Sequence, residues 1–338
     1  MPTSLQDDDA YRERIARGAR FLDSLLDKEG VIYGVTTGYG DSCVVAVPLE
    51  HVEALPRHLY TFHGCGLGKL LDAQATRAVL AARLQSLCHG VSGVRIELLE
   101  RLQAFIAHDI LPLIPEEGSV GASGDLTPLS YVAATLSGER EVLFNGERRL
   151  AADVHRELGW APLVLRPKEA LALMNGTAVM TGLACLAYAR ADYLLKLATR
   201  ITALNVVALQ GNPEHFDERL FAAKPHPGQM QVAAWLRQDL AIDAPTAPLH
   251  RLQDRYSLRC APHVLGVLAD SLNWLRGFIE TELNSANDNP IIDAEEERVL
   301  HGGHFYGGHI AFAMDSLKTL VANVADLLDR QLALLVDV

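Results

Sequence analysis

The sequence predicts a mainly α fold, a bundle of long helices, and three stretches carry that expectation. From about Ala178 to Leu209, apolar residues recur at helical spacing, as in Leu194, Leu197, Ile201, Leu204 and Ala208. Pro262 to Leu283 and His309 to Val336 repeat the pattern. With 49% hydrophobic residues in 338, the chain can bury a large core. Arg190, Asp192, Lys196 and Arg200 interrupt the first run, which makes it a buried bundle helix rather than a membrane span. In the last run, the stripe Leu317, Leu320, Val324, Leu327 and Leu328 needs a partner helix. Arg190, Arg200 and Arg330 read as solvated or paired charges. Pro162, Pro167 and the stretch from Pro213 to Pro245 mark the expected loops, and no short repeat or low-complexity linker is present. The organisation expected is an N-terminal lobe over 1–160 and a long-helix core over 161–338.

Charge and cysteine usage narrow the function classes. Thirty basic against 42 acidic residues give a formal charge of −12, with no basic cluster of the kind that non-specific nucleic-acid binding requires. Cys43, Cys65, Cys88, Cys185 and Cys260 are scattered, odd in number and without metal-ligand spacing, which suits free thiols in a reducing cytoplasm. The N-terminus carries Asp7-Asp8-Asp9 and lacks the basic start and apolar stretch of a signal peptide.

Gly118-Ser119-Val120-Gly121-Ala122-Ser123-Gly124-Asp125 is the stretch that bears most directly on chemistry. An Ala-Ser-Gly tripeptide bracketed by glycines can turn its own backbone into an electrophile. If the Gly124 nitrogen attacks the Ala122 carbonyl carbon, a five-membered ring closes. Loss of one water there, and of the Ser123 hydroxyl as a second, leaves a methylidene-imidazolone. Glycine suits both ends because it reaches strained backbone angles and leaves room around the attacking nitrogen. Such a ring supplies an electron sink without a bound cofactor. The competing readings fail on single residues. A phosphate loop needs a lysine where Asp125 stands. A serine-hydrolase elbow needs a second glycine two residues after the serine, and Asp125 takes that position too.

Further motifs follow in a fixed order: Tyr33-Gly34-Val35-Thr36-Thr37-Gly38-Tyr39-Gly40, the loop above running into Leu126-Thr127-Pro128-Leu129-Ser130, and Ala172-Leu173-Met174-Asn175-Gly176-Thr177. After them come Gln253-Asp254-Arg255-Tyr256-Ser257-Leu258-Arg259, Asn284-Ser285-Ala286-Asn287-Asp288-Asn289-Pro290 and Gly302-Gly303-His304-Phe305-Tyr306-Gly307. Together these resemble the aromatic amino acid ammonia-lyase family, which includes histidine, phenylalanine and tyrosine lyases and the related aminomutases. The resemblance runs from about Tyr33 to the C-terminus. It implies a long-helix bundle of the ammonia-lyase type with a homotetrameric central core, and active sites assembled from several subunits. It also implies that family members continue beyond the position of Val338, with further helices and a glutamate near the active site.

The implied reaction is elimination of ammonia from an α-amino acid, with the prosthetic group 4-methylidene-imidazole-5-one formed from Ala122, Ser123 and Gly124 and no external cofactor. The amine leaves poorly and the β-hydrogen is barely acidic, so an electrophile and a positioned base are both needed. Tyr33 is the candidate base. Alone, an aromatic before a glycine turn reads as packing, and the resemblance reverses that; Gly34, Gly38 and Gly40 then suggest a loop able to close over substrate. Arg259 suits a carboxylate clamp, since a planar guanidinium makes two parallel hydrogen bonds; by itself it reads as a surface charge. Asn175 and Gln253 offer neutral amides to orient the ring oxygen or substrate, or are ordinary satisfied polar groups. Tyr256 is placed to assist proton movement, and Phe305 to pack beside the ring. His304 stands where the usual Gly-Asn-Phe pattern has asparagine, which puts that amide's contact in doubt.

Phe62-His63-Gly64-Cys65-Gly66-Leu67-Gly68 lies where the family reads the substrate's aromatic ring. His63 can hydrogen-bond an imidazole or a phenol, and Phe62 leaves phenylalanine open; a core histidine beside a glycine turn is the plainer alternative. The spacing of His301, His304 and His309 does not form a zinc motif. The expectation is therefore a cytoplasmic homo-oligomeric lyase acting on L-histidine, L-tyrosine or L-phenylalanine, with no nucleic-acid or membrane partner and no metal. The alternatives are an aminomutase using the same group, and an inactive helical homologue or assembly partner.

Overall fold

The computed structural model describes residues 4–6, 8–28, 30–119, 123–241 and 251–336. The chain divides into two compact units, Met1–Leu183 with Thr281–Gly308, and Ala184–Glu280 with His309–Val338. The first unit contains the whole of the expected N-terminal lobe together with 161–183 and 281–308.

Helices build the core of the first unit. Ala73–Leu87 starts where Asp72 accepts the amide of Ala75, the usual way an aspartate satisfies an exposed helix N-terminus. It packs on Ile96–Ala107, and between them Val79, Leu80, Leu87, Leu98, Leu99, Leu102 and Phe105 are sealed from solvent. Leu126–Leu136 packs against Glu169–Met174 and Leu55–Phe62. Three small antiparallel sheets trim the helices: Leu67–Leu70 with Pro115–Glu117, Ile291–Asp293 with Arg298–Leu300, and Leu111–Pro112 beside the hairpin Glu141–Phe144 and Glu147–Leu150. The hairpin turns on Asn145-Gly146, at φ 50° and 80°, the left-handed pair that a two-residue turn requires.

The second unit holds most of each long helix, and the expected limits hold to within about one residue: Ala178–Ala208, Ala261–Leu283 and Gly308–Val336. Leu317, Val324 and Leu327 are buried against Leu195, Leu265, Leu268 and Leu272, so the stripe finds its partner helices within its own chain. One polar seam crosses this core. Fully buried Gln331 donates to Thr202 Oγ1 at 2.9 Å and to the Ser257 carbonyl at 3.0 Å, and accepts from Asn205 Nδ2 at 2.8 Å. It thereby pins the single helical turn Tyr256–Arg259. Glu169–Ala208 is the one described stretch long and apolar enough to cross a membrane, and most of its apolar window is buried within the protein.

The proline-rich stretch corrects the expectation. From Pro213 onward it is helical rather than loop, with Pro213–Phe216, Glu218–Ala222 and Pro227–Leu240. Pro213 and Pro227 sit in the first turn, where proline's fixed φ is already helical and its missing N–H costs nothing. The remainder, 242–250, lies outside the described residues.

Helix Glu169–Met174 is anchored at its first residue. Buried Glu169 accepts Nε and Nη2 of Arg95 at 2.9 and 2.8 Å, and the amides of Arg95 and Arg166 at 3.1 and 2.8 Å. Glu169→Ala removes one side of a largely desolvated bidentate pair and strands both amides. A loss of about 3 kcal/mol is expected, at the low end for such pairs because Arg95 keeps some exposure, and urea unfolding of the two proteins measures it.

Candidate functional site

The tripeptide loop ends on a short path into helix Leu126–Leu136. Ala122 lies outside the described residues; Ser123 and Gly124 are buried. The Leu126 amide donates to the Ser123 carbonyl at 3.1 Å. Ser123 Oγ donates to Asn175 Oδ1 at 2.5 Å. That amide has no freedom to flip, because Asn175 Nδ2 donates to the Asn289 carbonyl at 2.9 Å. At Gly124 a Cβ would stand 2.4 Å from Met180 Cε, so no larger residue fits there without moving Met180.

Asp125 caps a helix other than the one it precedes. Its Oδ2 accepts the amides of Val179 and Met180 at 2.7 and 3.2 Å, at the N-terminus of Ala178–Ala208, where both the free N–H groups and the helix dipole favour a carboxylate. Burial nevertheless dominates and pushes its pKa up to about 7, against the pull of the two amides and the Arg83 charge.

Tyr33 joins this neighbourhood through the segment 301–307. Its ring meets His301 edge-on at 6.5 Å between centroids, the next residue's amide, Gly302, donates to Asn289 Oδ1 at 2.8 Å, and Asn289 holds Asn175. Tyr33 Oη accepts the Gly40 amide at 2.8 Å. The glycine loop around it is tied down: Gly38 N to the Val45 carbonyl at 3.0 Å, Val47 N to the Thr36 carbonyl at 2.9 Å, and Gly34 N to Thr37 Oγ1 at 3.1 Å. Gly34 sits at φ 68° with Leu171 and Tyr39 closing over its missing side chain, which only glycine tolerates. Phe305 is half-buried, and Met180 Sδ would meet any side chain at Gly307.

Phe62 and His63 end helix Leu55–Phe62. Phe62 is 80% exposed and meets His63 edge-on at 5.2 Å, while burial lowers the His63 pKa and favours neutral imidazole. Arg140 seats this turn. It donates to the Tyr60 carbonyl at 2.9 Å, lies 4.2 Å above the Tyr131 ring, and covers Gly64 so closely that a Cβ there would collide with its Nη2.

The other expected residues belong to the second unit. Tyr256 is 70% exposed and Gln253 is exposed. Arg259 donates Nε to the Asp254 carbonyl at 3.2 Å and lies 5.7 Å over the Tyr256 ring; among the described residues no carboxylate pairs with it. The structure thus brings Ser123 to Asn175, Phe62 to His63 and Tyr256 to Arg259. Among the described residues no three His, Cys, Asp or Glu side chains are grouped to hold a metal ion.

Sequence reasoning assigned no role to Arg83, Lys168, Asp288 or Arg140. Lys168 and Asp288 form a fully buried ion pair, Nζ to Oδ2 at 2.5 Å, with Lys168 at φ 77°. A lone arginine amid Val79-Leu80-Ala81-Ala82 and Leu84 was the available signal for Arg83.

The family described as aromatic amino acid lyase matches residues 2–338. A histidine ammonia-lyase of Bacillus velezensis is 39% identical over 327 residues, 96% of this chain and 64% of its own length. A tyrosine 2,3-aminomutase of Chondromyces crocatus is 40% identical over 352 residues, covering 98% of this chain and 66% of its own. Among solved structures, the phenylalanine aminomutase of Pantoea agglomerans superposes with a TM-score of 0.91 at 33% identity, covering 98% of this chain and 67% of that one. The chain spans a little under two thirds of the length of the first of these relatives.

The raised pKa of Asp125 has a signed consequence. Between the ordinary value of 3.8 and about 7 the folded state binds the extra proton, so this group's contribution is fully present below about pH 4 and is lost as pH rises toward 7. Asp125→Asn cannot lose it. The expected outcome in urea unfolding is a difference in stability, variant over wild type, that grows from pH 4 to 7 and then levels; a flat difference would contradict it.

Proposed function

The chain belongs to the aromatic amino acid lyase family, and we propose that it eliminates ammonia from an aromatic α-amino acid, L-histidine or L-tyrosine/L-phenylalanine, to leave the α,β-unsaturated acid. The observation that carries this is Ser123, whose hydroxyl is held within a buried residue on Asn175 Oδ1 beside a glycine whose missing side chain is covered by Met180. Those residues fit a methylidene-imidazolone made from Ala122, Ser123 and Gly124: the hydroxyl that must be lost is oriented, and Gly124 lacks the Cβ that would hit Met180. The group supplies an electrophilic carbon that makes the substrate's amine a better leaving group.

The chain's own side chains do the rest. Tyr33 Oη takes the β-proton as the Cα–N bond breaks and the double bond forms, and the Gly40 amide that donates to that oxygen fixes its position. Phe62 and neutral His63 receive the substrate ring. Arg259 holds the carboxylate through its fork, Gln253 and Tyr256 orient substrate and protons, and Phe305 packs at the site's edge. Aminomutase activity is the second reading, favoured by the tyrosine and phenylalanine aminomutases among the relatives; it differs in returning ammonia to the β-carbon. A cytoplasmic setting fits the free cysteines among the described residues.

A homotetramer is part of the proposal. Exposed Tyr193, Leu204, Val207, Phe312, Leu332 and Val336 line the long helices of the second unit, and apolar faces of this kind are covered in an assembly. Residues of the two units then need not serve the same site within one chain.

Intact mass tests the prosthetic group: wild type is expected about 36 Da, two waters, below its encoded mass. Ser123→Ala is expected to show no such loss and no turnover. Tyr33→Phe is expected to keep the mass loss but lower kcat roughly 10²-fold or more; near-normal turnover would move the base elsewhere, with Tyr256 next.

Subunit mixing tests the assembly. Inactive Tyr33→Phe and Arg259→Ala proteins, exchanged together, are expected to regain part of the activity through hybrid sites. A monomer by light scattering at micromolar concentration, or no rescue after verified exchange, would overturn it.

A further inference from the structure

Arg83 is fully buried, and burying a charge is costly unless it is paired and hydrogen-bonded. Its two acidic neighbours are committed elsewhere. Asp288 takes Lys168 Nζ, and Asp125 takes the amides of Val179 and Met180. What Arg83 contacts instead is Asn175: Nη1 donates to its main-chain carbonyl at 3.4 Å, while Nη2 donates to Ser86 Oγ at 3.4 Å and Nε has no partner. Burial lowers the guanidinium's pKa and the two carboxylates act against that; an arginine still stays charged. The contact explains Gly176, since a Cβ there would stand 2.1 Å from Arg83 Nη1.

Asn175 is therefore held twice, by its carbonyl on Arg83 and by its Nδ2 on Asn289, and its remaining oxygen is what Ser123 meets. We infer that Arg83 is a positioning residue for ring formation: by holding the Asn175 carbonyl above Gly176, it fixes the amide that orients the Ser123 hydroxyl. This rests on the methylidene-imidazolone proposed above. In that condensation the Gly124 nitrogen bonds the Ala122 carbonyl carbon. The carbonyl oxygen departs as water with the hydrogens of the Gly124 and Ser123 nitrogens, and the Ser123 hydroxyl departs with that residue's α-hydrogen. The second loss needs a fixed Cβ–Oγ direction. Without the guanidinium, the Asn175 carbonyl becomes a buried unpaired acceptor, and the 175–176 peptide is free to turn its amide away.

The test is intact mass, read with the thermal midpoint, on wild type, Arg83→Met, Arg83→Lys and Leu98→Ala. Leu98→Ala opens a cavity in the same unit and serves as a destabilised control that does not touch Asn175. The expected result is nearly complete loss of two waters in wild type and Leu98→Ala, at least tenfold less dehydrated chain in Arg83→Met, and an intermediate fraction in Arg83→Lys. If Arg83→Met does not fold, Arg83→Lys decides, a reduced fraction supporting the inference and a full one overturning it. Full dehydration in folded Arg83→Met overturns the inference alone. So does an equal deficit in Leu98→Ala. Wild type at its encoded mass overturns the prosthetic group itself, and this inference with it.

Discussion

The buried ion pair between Lys168 and Asp288 is the constraint around which the first unit is arranged. Two charges removed from water gain little net stability, because desolvation offsets much of their attraction, but a pair with no solvent escape tolerates only one register. Lys168 adopts a left-handed backbone that a lysine ordinarily avoids. In doing so it ties the start of helix Glu169–Met174 to a segment 120 residues away in sequence. Asn289 follows Asp288 directly and Asn175 ends that helix, so fixing the pair also fixes the two asparagines whose hydrogen bond aims an oxygen at Ser123. Position passes from a charge pair, through two amides, to a hydroxyl.

Much of the fold was legible because it is local. Helical periodicity from 178, 262 and 309 survives into the structure almost residue for residue, since each long helix carries its own apolar stripe. The stretch after Pro213 misled because proline reads as a breaker, whereas in a first turn it is a starter. Among the candidate residues, Ser123 carried a chemical signature of its own in its glycine-bracketed tripeptide, whereas Tyr33, Asn175 and Arg259 stood out only through the family resemblance. What could not be read was support. Arg83 and Asn175 are 92 residues apart and Arg140 and Tyr60 are 80 apart, and nothing local marks either pair. Asp125 shows the same limit. Adjacency suggests that it caps the helix it precedes, yet its carboxylate serves the helix that starts at Ala178.

Two polar clusters in the first unit share a construction. Beside His63 and beside Asn175, a guanidinium from elsewhere in the chain occupies the space that a glycine leaves open and donates to a main-chain carbonyl: Arg140 at Gly64 to Tyr60, and Arg83 at Gly176 to Asn175. In each, a polar side chain stands just past the end of a helix, and a turn held only by its own hydrogen bonds would be soft. A long rigid fork supplies stiffness at a distance, and the glycine supplies the gap.

That construction limits how the protein can change over generations. With the guanidinium in place, a side chain at 64 or 176 has nowhere to go; with the glycine in place, losing the arginine leaves both a void and an orphaned carbonyl. Each member is therefore acceptable only in the company of the other. A lineage that exchanged one of these couples for another solution would have to cross a poorly folded intermediate or alter both positions together. Phe62 and His63, exposed and half-buried, carry no such coupling in their own rings, so an exchange there leaves the footing beneath them in place.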